Sequence, residues 1–293
     1  MKIIVIGSNS QLAKSLKKIN FSKKLEMFYL NKQDLNISDE IQLSNTFKQI
    51  KPNIVINCSA YTNVQQAESN FTEANIVNNL SLISLSKISN KYNSLLIHFS
   101  TDYVFDGSKN QKYIEEDSGN PLSIYGKSKY EGEKKIIREC DNYIIFRVSW
   151  LFSEFNNNFF YFIINNIKNN KNIHAITDLK SIPTYSGEIA LFLKYFLENY
   201  NYENYTYIYH FNCGGSEISW YDFSMKIFDK YLKSKQSISK IFKTNAYDLF
   251  KNNIRPKYSA LSNYKFIKKF NYKVNSWENS VEKLLFKKFN NEI

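Results

Sequence analysis

The chain is short of cysteine and histidine, has no long apolar run and carries almost no glycine in its first loop. Each shortage excludes something. Its three cysteines, Cys58, Cys140 and Cys213, are far apart in 293 residues and odd in number. No Cys-x-x-Cys pair or Cys/His ligand spacing occurs, so neither a disulfide framework nor a zinc site is expected. His98, His174 and His210 stand alone in sequence, and no metal is assigned. No stretch approaches the roughly 18 apolar residues of a membrane-spanning helix. Met1 to Gly7 is too short an apolar run for a signal peptide. The expectation is a soluble, cytoplasmic protein without membrane insertion.

What is present is enough for a large folded core. Hydrophobic residues make up 43% and aromatic residues 16% of the chain, which argues against disorder. The length suits one large α/β domain with a smaller lobe, or two ordinary domains. Thirty-nine basic residues against 27 acidic ones give a net charge of +12. The lysines are spread among asparagines and tyrosines without a dense basic block, so no nucleic-acid partner is expected. Some of the excess could steer anionic, phosphate-bearing ligands into a cleft.

Lys2 to Ile6 is a β-branched apolar run of the kind found in buried parallel strands. Gly7-Ser8-Asn9-Ser10-Gln11-Leu12-Ala13 follows and leads into a helix over about Gln11–Lys18. A strand, tight turn and helix at the N-terminus is where a dinucleotide fold seats its pyrophosphate. The glycine fingerprint is thin: Gly7 remains, with Ser10 and Ala13 where glycines are commoner. The second strand, Leu25–Leu30, ends at Asn31-Lys32, where an acid would select NAD by binding the ribose 2′-hydroxyl. With no carboxylate to repel a 2′-phosphate, NADP(H) is favoured and NAD(H) stays open. Asp34 and Leu35 either touch the adenine side or are a capping acid and a buried leucine. Ser38 or Asp39 caps a helix to about Ile50. A third strand, Pro52–Asn57, runs into Cys58-Ser59-Ala60-Tyr61-Thr62, small residues that could line a dinucleotide. A short helical segment at Val64–Glu68, a long helix over Asn75–Lys91 and a strand over Leu95–Phe99 follow.

Next comes the most informative stretch, Ser100–Gly132. It holds Ser100-Thr101-Asp102-Tyr103-Val104-Phe105-Asp106-Gly107 and, further on, Tyr125 and Lys129. Tyr and Lys at i and i+4 share one helix face. A free phenol has a pKa near 10, so it works poorly at neutral pH unless a nearby cation favours its anion. Lys129 can supply that charge, and Thr101 can hydrogen-bond the oxygen that Tyr125 protonates. This helix continues to about Glu139, and a strand over Tyr143–Phe146 ends in Arg147-Val148-Ser149-Trp150. Alternating strands and helices over 150 residues imply a parallel, doubly wound sheet. Beyond Leu151, helices are expected up to about Asn169, over Ser186–Tyr200, from Ser219 onward and over Ser276–Phe289. Asn156-Asn157-Asn158-Phe159 precedes the first of these, Asp178–Thr184 is a loop, and Tyr207–Phe211 is a strand.

Tyr-x-x-x-Lys after a Ser/Thr-bearing strand end resembles the catalytic arrangement of short-chain dehydrogenase/reductases. Over nearly the whole chain the sequence is similar to one family of them, the dTDP-4-dehydrorhamnose reductases. The motifs fall in order: Gln11-Leu12, Pro52 through Ala60, Ala67-Glu68, Ser100 through Gly107, Pro121-Leu122-x-x-Tyr125-Gly126-x-x-Lys129-x-x-Gly132-Glu133, Arg147-Val148-Ser149-Trp150, Asn158-Phe159, Pro183-Thr184, Ser219 through Phe223, and Arg255-Pro256-x-x-Ser259-x-Leu261.

The resemblance implies a Rossmann-type NAD(P)-binding domain over residues 1–148, to which the chain returns at about 185–213. Residues 149–293 would be mainly a substrate-binding lobe. It implies a catalytic set of Thr101, Tyr125 and Lys129, and reduction of the C4 keto group of a nucleotide-linked 4-keto-6-deoxysugar for surface polysaccharide synthesis. Gly7, Ser10, Gln11, Leu12, Asn31, Lys32, Asp34, Leu35, Cys58, Ser59, Ala60 and Tyr61 would meet the cofactor, together with Tyr125 and Lys129. Thr101, Asp102, Tyr103, Trp150 and Arg255 would meet the sugar nucleotide, the arginine gripping its diphosphate. A homodimer is compatible with it. Departures from the family pattern are Ser10 and Ala13 for glycines, Gln65 and Gln66 for Asp and Lys, Ser181 for Gly and Tyr258 for Asn. The competing expectation is a non-catalytic NADP-binding homologue that regulates a partner enzyme, such as the regulatory subunit of methionine adenosyltransferase. A sugar-nucleotide epimerase or dehydratase fits the Arg-Val-Ser-Trp and Trp-Tyr-Asp-Phe segments less well.

Overall fold

The computed structural model describes residues 1–155, 158–232, 237–251 and 255–290. Asn156 and Asn157, expected in the loop before a helix, lie outside the described residues. Strands β1 (Lys2–Ile6), β2 (Glu26–Leu30), β3 (Ile54–Asn57), β4 (Leu95–Thr101) and β5 (Tyr143–Val148) form one sheet with Thr206–Phe211. The order is β2-β1-β3-β4-β5 followed by Thr206–Phe211, and every pairing is parallel. This is the doubly wound α/β arrangement expected, with the reversal of strand order between β1 and β3.

The alternation of side chains along the strands builds a core on each face. Ile3 and Val5, Ile54 and Ile56, Leu95 and Ile97, and Ile144 and Phe146 join one cluster. It packs under α1 (Gln11–Lys17), the Ser186–Asn199 helix and Phe266 and Phe270 of the Tyr264–Phe270 helix. The residues between them, Ile4 and Ile6, Val55, Leu96 and Ile145, join the opposite cluster with Phe47 of α2 (Glu40–Ile50), Leu82, Leu85 and Ile136. Burial on both faces is why these strands read as continuous apolar runs. Asp39 caps α2, accepting from the N–H groups of Ile41 and Gln42. A separate lobe core gathers Phe152, Phe160, Ile163, Phe223, Trp277 and Val281.

Two expectations are corrected, and one strand is added. The helix foreseen over Asn75–Lys91 begins earlier and is interrupted: Phe71–Asn75 is α-helical, Ile76–Leu80 forms a π turn and Ser81–Lys91 is α-helical again. The wide turn presses the Asn78 carbonyl against the Ile124–Glu139 helix at Gly132, where a Cβ would lie 2.0 Å from that oxygen. Apolar spacing cannot distinguish one extra residue in a turn. The loop foreseen over Asp178–Thr184 contains Lys180–Ser181, which pairs antiparallel with Ile218–Ser219. Strand Ile173–Ile176, not foreseen, pairs in parallel with Ile241–Thr244. Pairings this short come from tertiary contact and not from a local pattern. Among the described residues no helix is long and apolar enough to cross a membrane.

Candidate active site

The order of the strands reverses between β1 and β3, and the first loop leaves the carboxyl end of β1 there. Gly7 has φ +78°, and a Cβ on it would lie 2.7 Å from the Ser59 nitrogen. Only glycine combines that backbone with that approach. Ser10, standing where glycine is commoner, caps α1 by accepting from the Ala13 N–H at 3.2 Å. The Gln11 amide reaches across to the lobe. It donates to the Leu151 carbonyl at 3.3 Å and accepts from the Ser153 hydroxyl at 2.9 Å.

From the other side, β4 ends at Thr101 and turns through a 3-10 turn at Asp102–Val104. The Ile124–Glu139 helix starts at Ser123, whose hydroxyl accepts from the Gly126 N–H at 3.1 Å, and Glu68 accepts from the Ile124 N–H at 2.8 Å. A Cβ on Gly126 would lie 2.3 Å from the Tyr103 carbonyl, so the helix start lies directly against the turn. Tyr125 and Lys129 thereby face the end of β4.

Between these elements lies a cavity of about 490 Å³. Ser10, Gln11, Leu12, Cys58, Ser59 and Ala60 line one side. Thr101, Asp102, Tyr103, Tyr125, Lys129 and Trp150 line the other. A second cavity of about 60 Å³ continues from Asp102, Tyr103 and Trp150 to Ser181, Trp220 and Ser259. Asn57, Lys14, Phe99, Phe155 and Asn158 also line the larger cavity and were not foreseen. Asn57, a polar residue closing an apolar strand, carried the one available signal.

The remaining candidates lie elsewhere. Gly7 packs its backbone against Ser59, which lines the cavity. Leu35 is 2% exposed and packs in the core with Ile4 and Ile6, so of the two readings of that residue it follows the buried one. Asp34 accepts from the Asn31 N–H at 2.9 Å and Asn31 accepts from the Gln33 N–H at 2.7 Å, which closes that loop on itself. Lys32 is exposed, 3.9 Å from Glu73. The Tyr61 N–H and carbonyl are held by the Asn78 amide at 2.9 and 3.0 Å. Arg255 donates to the Tyr103 hydroxyl at 3.1 Å, with its guanidinium 3.6 Å from the Phe250 ring centroid.

The electrostatics follow from burial. Tyr125 is pushed well above the ordinary phenol value by desolvation, offset in part by a hydrogen bond with Thr101. Burial lowers Lys129 to about 8, against a raising effect from Glu133. Its side-chain nitrogen lies 2.7 Å from the Phe99 carbonyl and 3.0 Å from His98 Nε2. Burial raises Asp102 to about 6, although Ser259 and Thr101 donate to its carboxylate. Trp150 has φ +43° and stacks on Trp220 with centroids 5.6 Å apart. Its indole N–H is buried at the cavity wall without a partner among the described residues. Beneath the site, Arg147 and Glu133 form a buried bidentate pair, the shortest contact 2.7 Å.

A parallel sheet with its cavity at the β1/β3 reversal, closed by a Tyr-x-x-x-Lys helix, defines a Rossmann-type protein of the extended short-chain dehydrogenase/reductase class. Comparison with known proteins gives the family. The family model described as RmlD substrate binding domain matches residues 1–289, and the chain belongs to that family. It is 38% identical over 237 residues to a dTDP-4-dehydrorhamnose reductase of Aggregatibacter actinomycetemcomitans, covering 80% of each chain. A solved dTDP-4-dehydrorhamnose reductase of Bacillus anthracis, in complex with NADP, superposes with a TM-score of 0.90 at 28% identity. It covers 98% of this chain and 99% of its own. A Clostridium acetobutylicum orthologue gives 0.88 at 30% identity over 97% and 98%.

Proposed function

We propose that this protein is a cytoplasmic NAD(P)H-dependent sugar-nucleotide 4-ketoreductase that converts dTDP-4-dehydro-L-rhamnose to dTDP-L-rhamnose for polysaccharide synthesis. The observation that carries the reading is the meeting of Thr101, Tyr125 and Lys129 on one cavity at the switch point of the sheet. The fit of a dinucleotide is supported by the Gly7 cradle and by the small residues Ser59 and Ala60 opposite it. A bound nicotinamide nucleotide would supply the hydride to C4.

The chain's own residues handle the oxygen. Tyr125, kept protonated by burial, donates its proton to the oxyanion that develops at C4. Thr101, on the same cavity wall as Tyr125, orients that oxygen, and Lys129 supplies positive charge when the phenol gives up its proton. Asp102 and Tyr103 hold the sugar hydroxyls. Arg255, docked on Tyr103, reaches the diphosphate. The lobe after residue 149 closes the sugar side with Trp150. NADPH is favoured over NADH because Asn31 and Lys32 follow β2, where an acid would select NAD.

NADPH oxidation with dTDP-4-keto-6-deoxy-L-lyxo-hexulose tests this. Turnover is expected from the wild type, with Tyr125→Phe reducing kcat by about 10²–10⁴. A wild-type protein that binds NADPH but reduces no dTDP-, UDP- or GDP-linked ketosugar would overturn the reading in favour of a regulatory binder.

A further inference from the structure

Behind Lys129 runs a buried chain of polar groups whose donors and acceptors can be assigned one by one. Asn57 ends β3 and is paired in register with His98 of β4. Asn57 and His98 are each 1% exposed and Lys129 is 2% exposed, so these groups must satisfy one another. The Asn57 Oδ1 accepts from the Ser59 backbone N–H at 3.1 Å and from the Ser59 hydroxyl at 2.6 Å. A backbone N–H can only donate, so the amide oxygen faces Ser59 and the amide NH₂ faces His98 Nδ1, 3.1 Å away. Nδ1 is then the acceptor, and a neutral imidazole carries its proton on Nε2, 3.0 Å from Lys129 Nζ.

An ammonium has three donors and no acceptor. Facing Nε2–H, it would set donor against donor. A neutral amine fits: its lone pair takes the Nε2–H, one N–H goes to the Phe99 carbonyl, and one remains for the cavity. An ammonium fits only the opposite arrangement, with the imidazole proton on Nδ1 and the Asn57 oxygen turned toward it. That turn breaks the bond to the Ser59 N–H. We propose that Asn57 and His98 are positioning residues that lock the proton count of Lys129 to the His98 tautomer, so that charging Lys129 frees the Ser59 N–H in the cavity wall.

The other titratable groups around Lys129 do not supply such a lock. Glu133, on the same helix, is committed to Arg147 of β5. Asp102 and Tyr103 in the turn after β4 act on Tyr125. Glu68 takes the Ile124 N–H, Glu73 turns to Lys32, and Lys87 and Lys91 are exposed. His98 itself stays neutral, since burial and then the Lys129 charge disfavour imidazolium. A ligand that accepts from the Ser59 N–H therefore favours the ammonium form, and the ammonium favours that ligand by the same factor. The lock rests on the proposed reading only for its catalytic meaning: Tyr125 meets a cation when the cavity wall is ready to bind.

The test is ¹⁵N NMR of the full chain, labelled at histidine and lysine and titrated from pH 6 to 10. His98 is expected to change from the Nδ1–H to the Nε2–H tautomer with the same midpoint as Lys129 Nζ. A single His98 tautomer throughout, while Lys129 titrates, would overturn the lock. This readout does not depend on substrate, so its failure is distinct from a failure of the reductase reading. As a second arm, Asn57→Asp places an acceptor-only group opposite Nδ1 and still accepts from Ser59. It should fix the Nδ1–H tautomer and raise the Lys129 midpoint by about one unit, a tenfold rise in proton affinity. A midpoint that stays put or falls, in a folded variant, would count against the mechanism.

Discussion

Asp102→Asn should stabilise the protein at neutral pH while impairing the activity proposed for it. Asp102 is 3% exposed, and its carboxylate accepts from the hydroxyls of Thr101 and Ser259. Burial nevertheless raises it from 3.8 to about 6. A carboxyl with a raised folded-state pKa contributes stability that is fully present below the unfolded value. That stability is lost as the pH rises through the folded value. Between pH 4 and 6 the native state thus loses stability on this account. The loss is about 3 kcal/mol once Asp102 is ionised, at 1.36 kcal/mol per pKa unit. An amide keeps the shape and one acceptor, and its NH₂ can donate to a hydroxyl that formerly donated. The expected gain is about 1–3 kcal/mol at pH 7.5, with most of it gone at pH 4.5. Urea denaturation of the two proteins at both pH values measures it. A gain equal at both, or a loss of stability at pH 7.5, would refute the argument from desolvation. Reductase activity should fall, because the proposed contact to the sugar loses its charge, an instance of stability given up at a functional site.

Lys129, lowered from 10.5 to about 8 by burial, binds fewer protons in the native than in the unfolded state between those values. Stability should therefore rise across that window by roughly 3 kcal/mol on its account, and the difference between wild type and Lys129→Met, followed by denaturation at pH 7.5 and 9.5, should shrink accordingly. Glu133→Gln leaves the Arg147 charge buried and should cost about 3–5 kcal/mol in denaturant unfolding; adding Arg147→Met should recover most of it. Gly132→Ala pushes a Cβ into the Asn78 carbonyl. It should cost about 1–3 kcal/mol and lower kcat by displacing Tyr125 and Lys129, read from a thermal melt and steady-state kinetics.

The parts of this protein that were legible in sequence are those that depend on local pattern. Continuous apolar runs at Lys2–Ile6 and Leu95–Phe99 could only be strands buried on both faces, and the helices between them made the sheet parallel. Tyr125 and Lys129 share a helix face by spacing alone, and Gly7 marks the tight turn between the first strand and helix, while its close approach to Ser59 is tertiary. What depends on packing between distant segments was decided by the tertiary structure. The π turn at Ile76–Leu80 exists against Gly132 of a helix far along the chain, and there the Asn78 amide donates to the Ser128 hydroxyl at 3.0 Å. The choice for Leu35 between ligand and core was made by the neighbours β1 brings to it. Asn57 and His98 look like stray polar residues in apolar strands. Only the register of β3 against β4 sets them side by side behind Lys129, because hydrogen bonds between strands fix which buried donors and acceptors must answer one another.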